Sequence, residues 1–192
     1  MMKIMNIREF RFEKVSFRVP LFTFAFLLFT FTFLLPPPAE AQRRDYLTDA
    51  EIELVRDAQQ IDLRVEVLTK AIDRRFAILT NQPSPISKNS EKWGDAPKGT
   101  RTELISDISK ILQKAVDDID GIATREGGMD SKFFPKAVLK LAEAAERFLP
   151  QFRLLMDQVK VEKERGSILN SIDLCNQIIE AAKKLPKEVK KK

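Results

Sequence analysis

Apolar residues recur at alternating steps of three and four along most of this chain, and this periodicity constrains the fold more than any other feature. Such spacing places them on one face of an α-helix. In the first such segment the stripe runs through Val55, Ala58, Ile61, Val65, Leu68, Ile72, Phe76 and Leu79. No segment keeps the period of two that a half-buried strand would show. The sequence therefore predicts an all-α protein.

Four helices are expected, at about residues 48–80, 100–126, 132–160 and 167–185, with an irregular loop at 80–99 that contains Trp93. Residues 42–47 form a short lead-in, and residues 186–192 a Lys-rich tail. Heptad-like stripes on four helices are typical of an up-down-up-down four-helix bundle with coiled-coil-like packing, here spanning residues 48–185.

Local signals set the helix ends. Thr48 with Glu51 has the spacing of a capping box, and Thr100 with Glu103 repeats it. The third stripe keeps its phase across Pro150, which predicts one kinked helix rather than two. The phase breaks near Gly166, which we therefore expect to end the third helix before a fourth begins.

Residues 1–41 have the pattern of a secretory signal peptide. Five basic residues precede the uncharged apolar run 21–35, and Ala39-Glu40-Ala41 follows as a small-x-small cleavage site. A run of 15 residues is short for a membrane-spanning helix, which needs roughly 20. We expect cleavage after Ala41 and a periplasmic or extracellular protein. The alternative is a membrane-anchored protein that keeps this segment.

Charge is concentrated at the two ends of the chain. The net charge is +5, whereas the stretch from residue 42 to 182 is close to −2 because the signal and the last ten residues hold the basic excess. The sequence thus gives little support for nucleic-acid binding. We expect a membrane contact only through an uncleaved N-terminal segment or the Lys-rich tail, which alternatively is a solvated end.

The chain contains no histidine, which excludes Ser-His-Asp and Cys-His catalysis and His-ligated metals. We predict no catalytic residues, cofactor or metal site, although an activity based on carboxylates and lysines stays open. The single cysteine, Cys175, lies on an apolar stripe, so a buried thiol is expected. Pairing with a second chain is the alternative.

Charged clusters are expected to lie mainly on solvated helix faces. Asp117, Asp118, Asp120 and Glu126 could in principle attract a hard cation, but their spacing does not match an EF-hand loop. Arg75 stands beside Phe76 at the edge of a stripe, which makes it a candidate to pair with an inward-facing carboxylate.

The segments Asp45-Tyr46-Leu47-Thr48-Asp49-Ala50-Glu51-Ile52, Val55-Arg56-Asp57-Ala58-Gln59 and Asp62-Leu63-Arg64 precede an Ala-rich third helix. Together they resemble exported all-helical bacterial proteins without an assigned function. This resemblance implies export and the bundle fold, and it supplies no active site.

Function is therefore expected to be binding rather than catalysis. The leading hypothesis is an exported module that binds or scaffolds an unidentified protein or other envelope partner. The alternative is a small apolar-ligand carrier or chaperone-like bundle, with a groove at Phe148, Pro150 and Phe152, where Pro150 would open the helix. The oligomeric state stays open.

Overall fold

The computed structural model describes residues 44–83 and 90–185, except for the side chain of Ser90, and within these ranges there are helices and turns but no strand. In chain order the helices are α1 (Asp49–Asp57), α2 (Ile61–Leu79), the short α3 (Ser90–Trp93), α4 (Arg101–Ala123), α5 (Phe133–Met156) and α6 (Glu162–Lys183). A 3₁₀ turn, Gly128–Asp130, precedes α5. The all-α prediction is confirmed.

The predicted export signal, with its cleavage site at Ala39 and Ala41, lies outside the described residues, as does the tail 186–192. None of the helices in the described ranges is both long enough and apolar enough to cross a membrane.

The first predicted helix, 48–80, is two helices in the structure. α1 ends at Asp57, the chain reverses through Ala58–Gln60, and α2 then runs back along α1. A continuous helix would separate Glu51 from Arg75 by about 36 Å, yet their side chains are in direct contact. Gln59 Nε2 donates to the Arg56 carbonyl and Arg64 Nε donates to the Ala58 carbonyl, so side chains satisfy backbone groups at the reversal.

The four long helices α2, α4, α5 and α6 surround one hydrophobic core. α2 packs on α4 and α5, and α6 packs on the same two helices, whereas α2 and α6 do not meet within the described residues. α2 and α5 run in the same direction, because Lys140 contacts Glu66 and Phe148 contacts Phe76.

α6 begins before the predicted position. It starts at Glu162, so Gly166 lies inside the helix rather than at a terminus. The break in apolar phase reflects the turn between α5 and α6, where Val161 takes an extended conformation with φ −130°. The buried carboxylate of Glu164 fixes the first turn of α6, because it accepts a hydrogen bond of 2.7 Å from Thr102 Oγ1 on α4.

Two other local predictions are confirmed. Both capping boxes are formed, at Thr48 and at Thr100. Pro150 lies inside a continuous α5, as the unbroken stripe predicted, and the kink at this residue stays a prediction. The predicted loop 80–99 contains α3, and Trp93 at its end is buried against the core.

Candidate functional site

Four of the buried charged residues form one cluster, which we call the Arg75 cluster: Glu51, Arg74, Arg75 and Asp107. Arg75 donates from Nη2 to Glu51 Oε2 at 2.8 Å and from Nη1 to Glu51 Oε1 at 3.0 Å. Arg74 Nη1 donates to Glu51 Oε1 at 2.7 Å. Asp107 Oδ2 lies 3.8 Å from Arg75 Nε. The sequence-based expectation that Arg75 pairs with an inward carboxylate is confirmed.

The arginines of the cluster also bind backbone carbonyls of distant segments. Arg75 Nη2 donates to the Tyr46 carbonyl at 2.6 Å, and Arg74 Nη2 donates to the Asp95 carbonyl at 2.6 Å. The Arg74 guanidinium also lies over the Trp93 ring, 5.5 Å from its centroid, a cation–π contact. The cluster therefore holds the lead-in before α1 and the segment after α3 against α2.

Local sequence places Glu51 for this role. Its Oε2 accepts a hydrogen bond from the Thr48 backbone N–H as the reciprocal half of the capping box. The same carboxylate faces α2, so one residue both caps α1 and neutralises two arginines. Two positive and two negative side chains balance one another, as buried charges require. This balance gives the cluster a structural role rather than a place to attract an ionic ligand.

A second group of charges lies at the α2–α5 boundary. Lys140 Nζ is 2.8 Å from Glu66 Oε2, and Lys70 Nζ is 2.7 Å from Glu66 Oε1. Hydrogen bonds from Lys140 and then from Lys70 lower the pKa of Glu66 to about 2. The hydrogen bond with Glu66 also raises the pKa of Lys140.

Further along the same boundary, Arg147 Nη2 is 3.3 Å from Asp73 Oδ2. Burial raises the pKa of Asp73 despite that arginine. These pairs are partly exposed, so each contributes little to stability.

The groove predicted at Phe148, Pro150 and Phe152 is not present in the structure. Phe148 and Phe152 have no exposed surface, and both rings pack on Phe76, with centroids 5.5 and 5.1 Å away. Pro150 is exposed on the outer face of α5. The aromatic stripe fills the core here, because the proline lies on the face of the helix opposite the rings.

An apolar cavity of about 300 Å³ lies instead between α4, α5 and α6, and we call it the α4–α6 cavity. Its apolar lining consists of Val116, Ile119, Phe134, Val138, Leu141, Leu174, Ile178, Ala181 and Leu185. Two polar residues, Asp120 and Gln177, complete the lining, and both are exposed at its edge. The size and composition are in the range of small-ligand sites.

The acidic residues singled out in the sequence do not converge on one point. Asp117 accepts a hydrogen bond from Gln113 and Asp118 pairs with Lys114, both along the surface of α4. Asp120 alone of these residues lines the α4–α6 cavity.

Cys175 is fully buried on α6, as its place on the apolar stripe predicted. Loss of solvation raises the pKa of its thiol to about 12.

Sequence reasoning missed two parts of the site. Local spacing identifies Glu51 only as a capping residue, and nothing in that spacing shows that α1 folds back onto α2. The α4–α6 cavity is lined by ordinary stripe residues, so no local signal separates it from solid core.

No protein-family model, curated protein or solved structure shows a significant match to this chain.

Proposed function

We propose that this chain is an exported, non-enzymatic protein of the cell envelope, whose up-down-up-down four-helix bundle binds or scaffolds another macromolecule. The neutralised Arg75 cluster carries this proposal. Its most deeply buried acids, Glu51 and Asp107, lie beside arginines and do not line the α4–α6 cavity. These two carboxylates therefore serve to hold chain segments together. The signal pattern of residues 1–41 supports export with cleavage after Ala41.

The bundle topology is supported by the directions of the helices. α2 and α5 run the same way, and α4 and α6 also run the same way, because Thr102 contacts Glu164 and Ser109 contacts Asn170. The start of α2 and the end of α4 line one cavity, which supports opposite directions for these two helices.

Affinity capture tests the binding function. Protein expressed from the full-length gene is immobilised and exposed to envelope extract, and free protein is added as competitor. We expect at least one partner whose recovery saturates and is competed away. Absence of any saturable partner, or turnover of a substrate in broad hydrolase screening, would contradict the proposal.

Intact mass of the protein recovered from its native host tests the localisation. Cleavage predicts a chain that begins at Gln42. Recovery of the intact chain in the membrane fraction would support the anchored alternative instead.

A small apolar-ligand carrier is the second candidate, favoured by the α4–α6 cavity. Its apolar lining with two polar residues at the edge is the arrangement that holds an amphiphilic molecule in a fixed orientation.

A further inference from the structure

The interior of the α4–α6 cavity suits an unbranched alkyl chain. Its inner lining includes Leu141, Ile178 and Val138, which are buried and apolar. A methylene group is similar in size to a water molecule, whose share of liquid volume is about 30 Å³. A cavity of about 300 Å³ therefore has room for a short alkyl chain.

The edge of the cavity favours a cationic head group. Asp120 is the only charged residue among the described residues that line it. Among the described residues, no side chain donates a hydrogen bond to the Asp120 carboxylate.

Neither lysine at the end of the described part of α6, Lys183 or Lys184, reverses this preference. Lys183 Nζ is 2.6 Å from Glu180 Oε1, so its charge is paired. Lys184 is exposed and is not part of the lining. Gln177, the other polar residue at the edge, is uncharged and its amide oxygen can accept a hydrogen bond from an ammonium group.

We propose that the α4–α6 cavity binds the alkyl chain of a small amphiphile and that Asp120 pairs with its protonated amine. This inference rests on the carrier candidate above and adds the chemistry of the head group. The cavity buries the chain, and the carboxylate at its edge distinguishes an amine from a carboxylic acid of the same length.

The test compares octylammonium, octanoate and octanol by titration calorimetry with protein expressed from the full-length gene. We expect octylammonium to bind at least fivefold more tightly than octanoate at neutral pH. Asp120→Asn should remove this preference and leave octanol binding unchanged. Asp117→Asn is the matched control, because Asp117 lies on the same helix outside the cavity lining, and it should keep the preference.

Ala181→Phe locates the site, because Ala181 is exposed and lines the cavity, so a larger side chain fills it without a change in the core. We expect it to abolish binding of all three probes while thermal unfolding stays the same. Equal or tighter binding of octanoate would overturn the amine assignment and leave the carrier function standing. Failure of every probe to bind the unmodified protein would overturn both the amine assignment and the carrier function.

Discussion

Glu51 and Arg75 are 24 residues apart in the chain, and their side chains form two hydrogen bonds, of 2.8 and 3.0 Å, in the protein interior. Both side chains are at most 1% exposed. This contact stabilises the reversal between α1 and α2, because it holds α1 against α2.

Replacing Glu51 should therefore destabilise the protein strongly. Glu51→Gln leaves two buried arginines without their carboxylate, a change that typically costs about 3–5 kcal/mol. Glu53→Gln is the control, because Glu53 lies exposed on the same helix beside Arg56 and should change stability by less than about 0.5 kcal/mol. Urea unfolding measures the free energy of unfolding of both variants. Equal midpoints for the two variants would show that the Glu51–Arg75 contact is absent in solution.

The sequence predicts the helical class and both capping boxes, because these depend on residues close together in the chain. It does not predict the reversal at Ala58–Gln60. The stripe passes from Val55 through Ala58 to Ile61 without losing phase, so the apolar spacing alone gives no sign that a helix ends there. The contact of Glu51 with Arg75 on α2, a tertiary interaction, distinguishes two helices from one.

The candidate site is predictable to a smaller extent. The burial of Cys175 follows from one stripe, whereas the α4–α6 cavity depends on how three stripes meet. The prediction of a groove at Phe148 and Phe152 was wrong for the same reason. Phe76 comes from a different helix and packs against both rings, which leaves them without exposed surface.

Two glycines test the helix boundaries, with opposite expected signs. Gly166 lies inside α6, and apart from its own helix turn no atom lies within 4 Å of the position that an alanine Cβ would take. Gly166→Ala should therefore stabilise the protein by about 0.5–1 kcal/mol. Gly94 has φ +58°, and a methyl group there would lie 3.0 Å from Ala50 Cβ. Gly94→Ala should therefore destabilise by about 1–2 kcal/mol. Thermal unfolding measures the stability of the two variants. A destabilising Gly166→Ala would place a helix end at that residue.

Acid titration should reveal the contribution of Glu66. Its pKa in the folded protein is lowered to about 2 from an ordinary value of 4.5. Its stabilising effect is thus present above pH 4.5 and is lost as the pH falls towards 2. Because the side chain is 41% exposed, solvent screening keeps the effect below about 1 kcal/mol. Glu66→Gln should flatten the fall in stability over this window, and an unchanged pH profile would argue against the Lys140 contact.

The thiol of Cys175 should be inert in the folded protein. It is buried, and loss of solvation raises its pKa to about 12, so almost no thiolate forms at neutral pH. A chromogenic disulfide reagent should react with it only after denaturant is added. Rapid reaction without denaturant, or a disulfide-linked dimer in non-reducing electrophoresis, would refute the buried location.

Hydrogen–deuterium exchange tests most directly that this protein functions by binding at the α4–α6 cavity, because protection locates an occupied surface whether the occupant is a macromolecule or a small ligand. Exchange is measured for the purified protein with and without fractionated envelope extract. We predict slower exchange confined to the helix segments that line the α4–α6 cavity, 116–120, 134–141 and 174–185, and no such change in the Ala181→Phe variant. Protection elsewhere on the described helices, with these three segments unchanged, would contradict binding at the cavity.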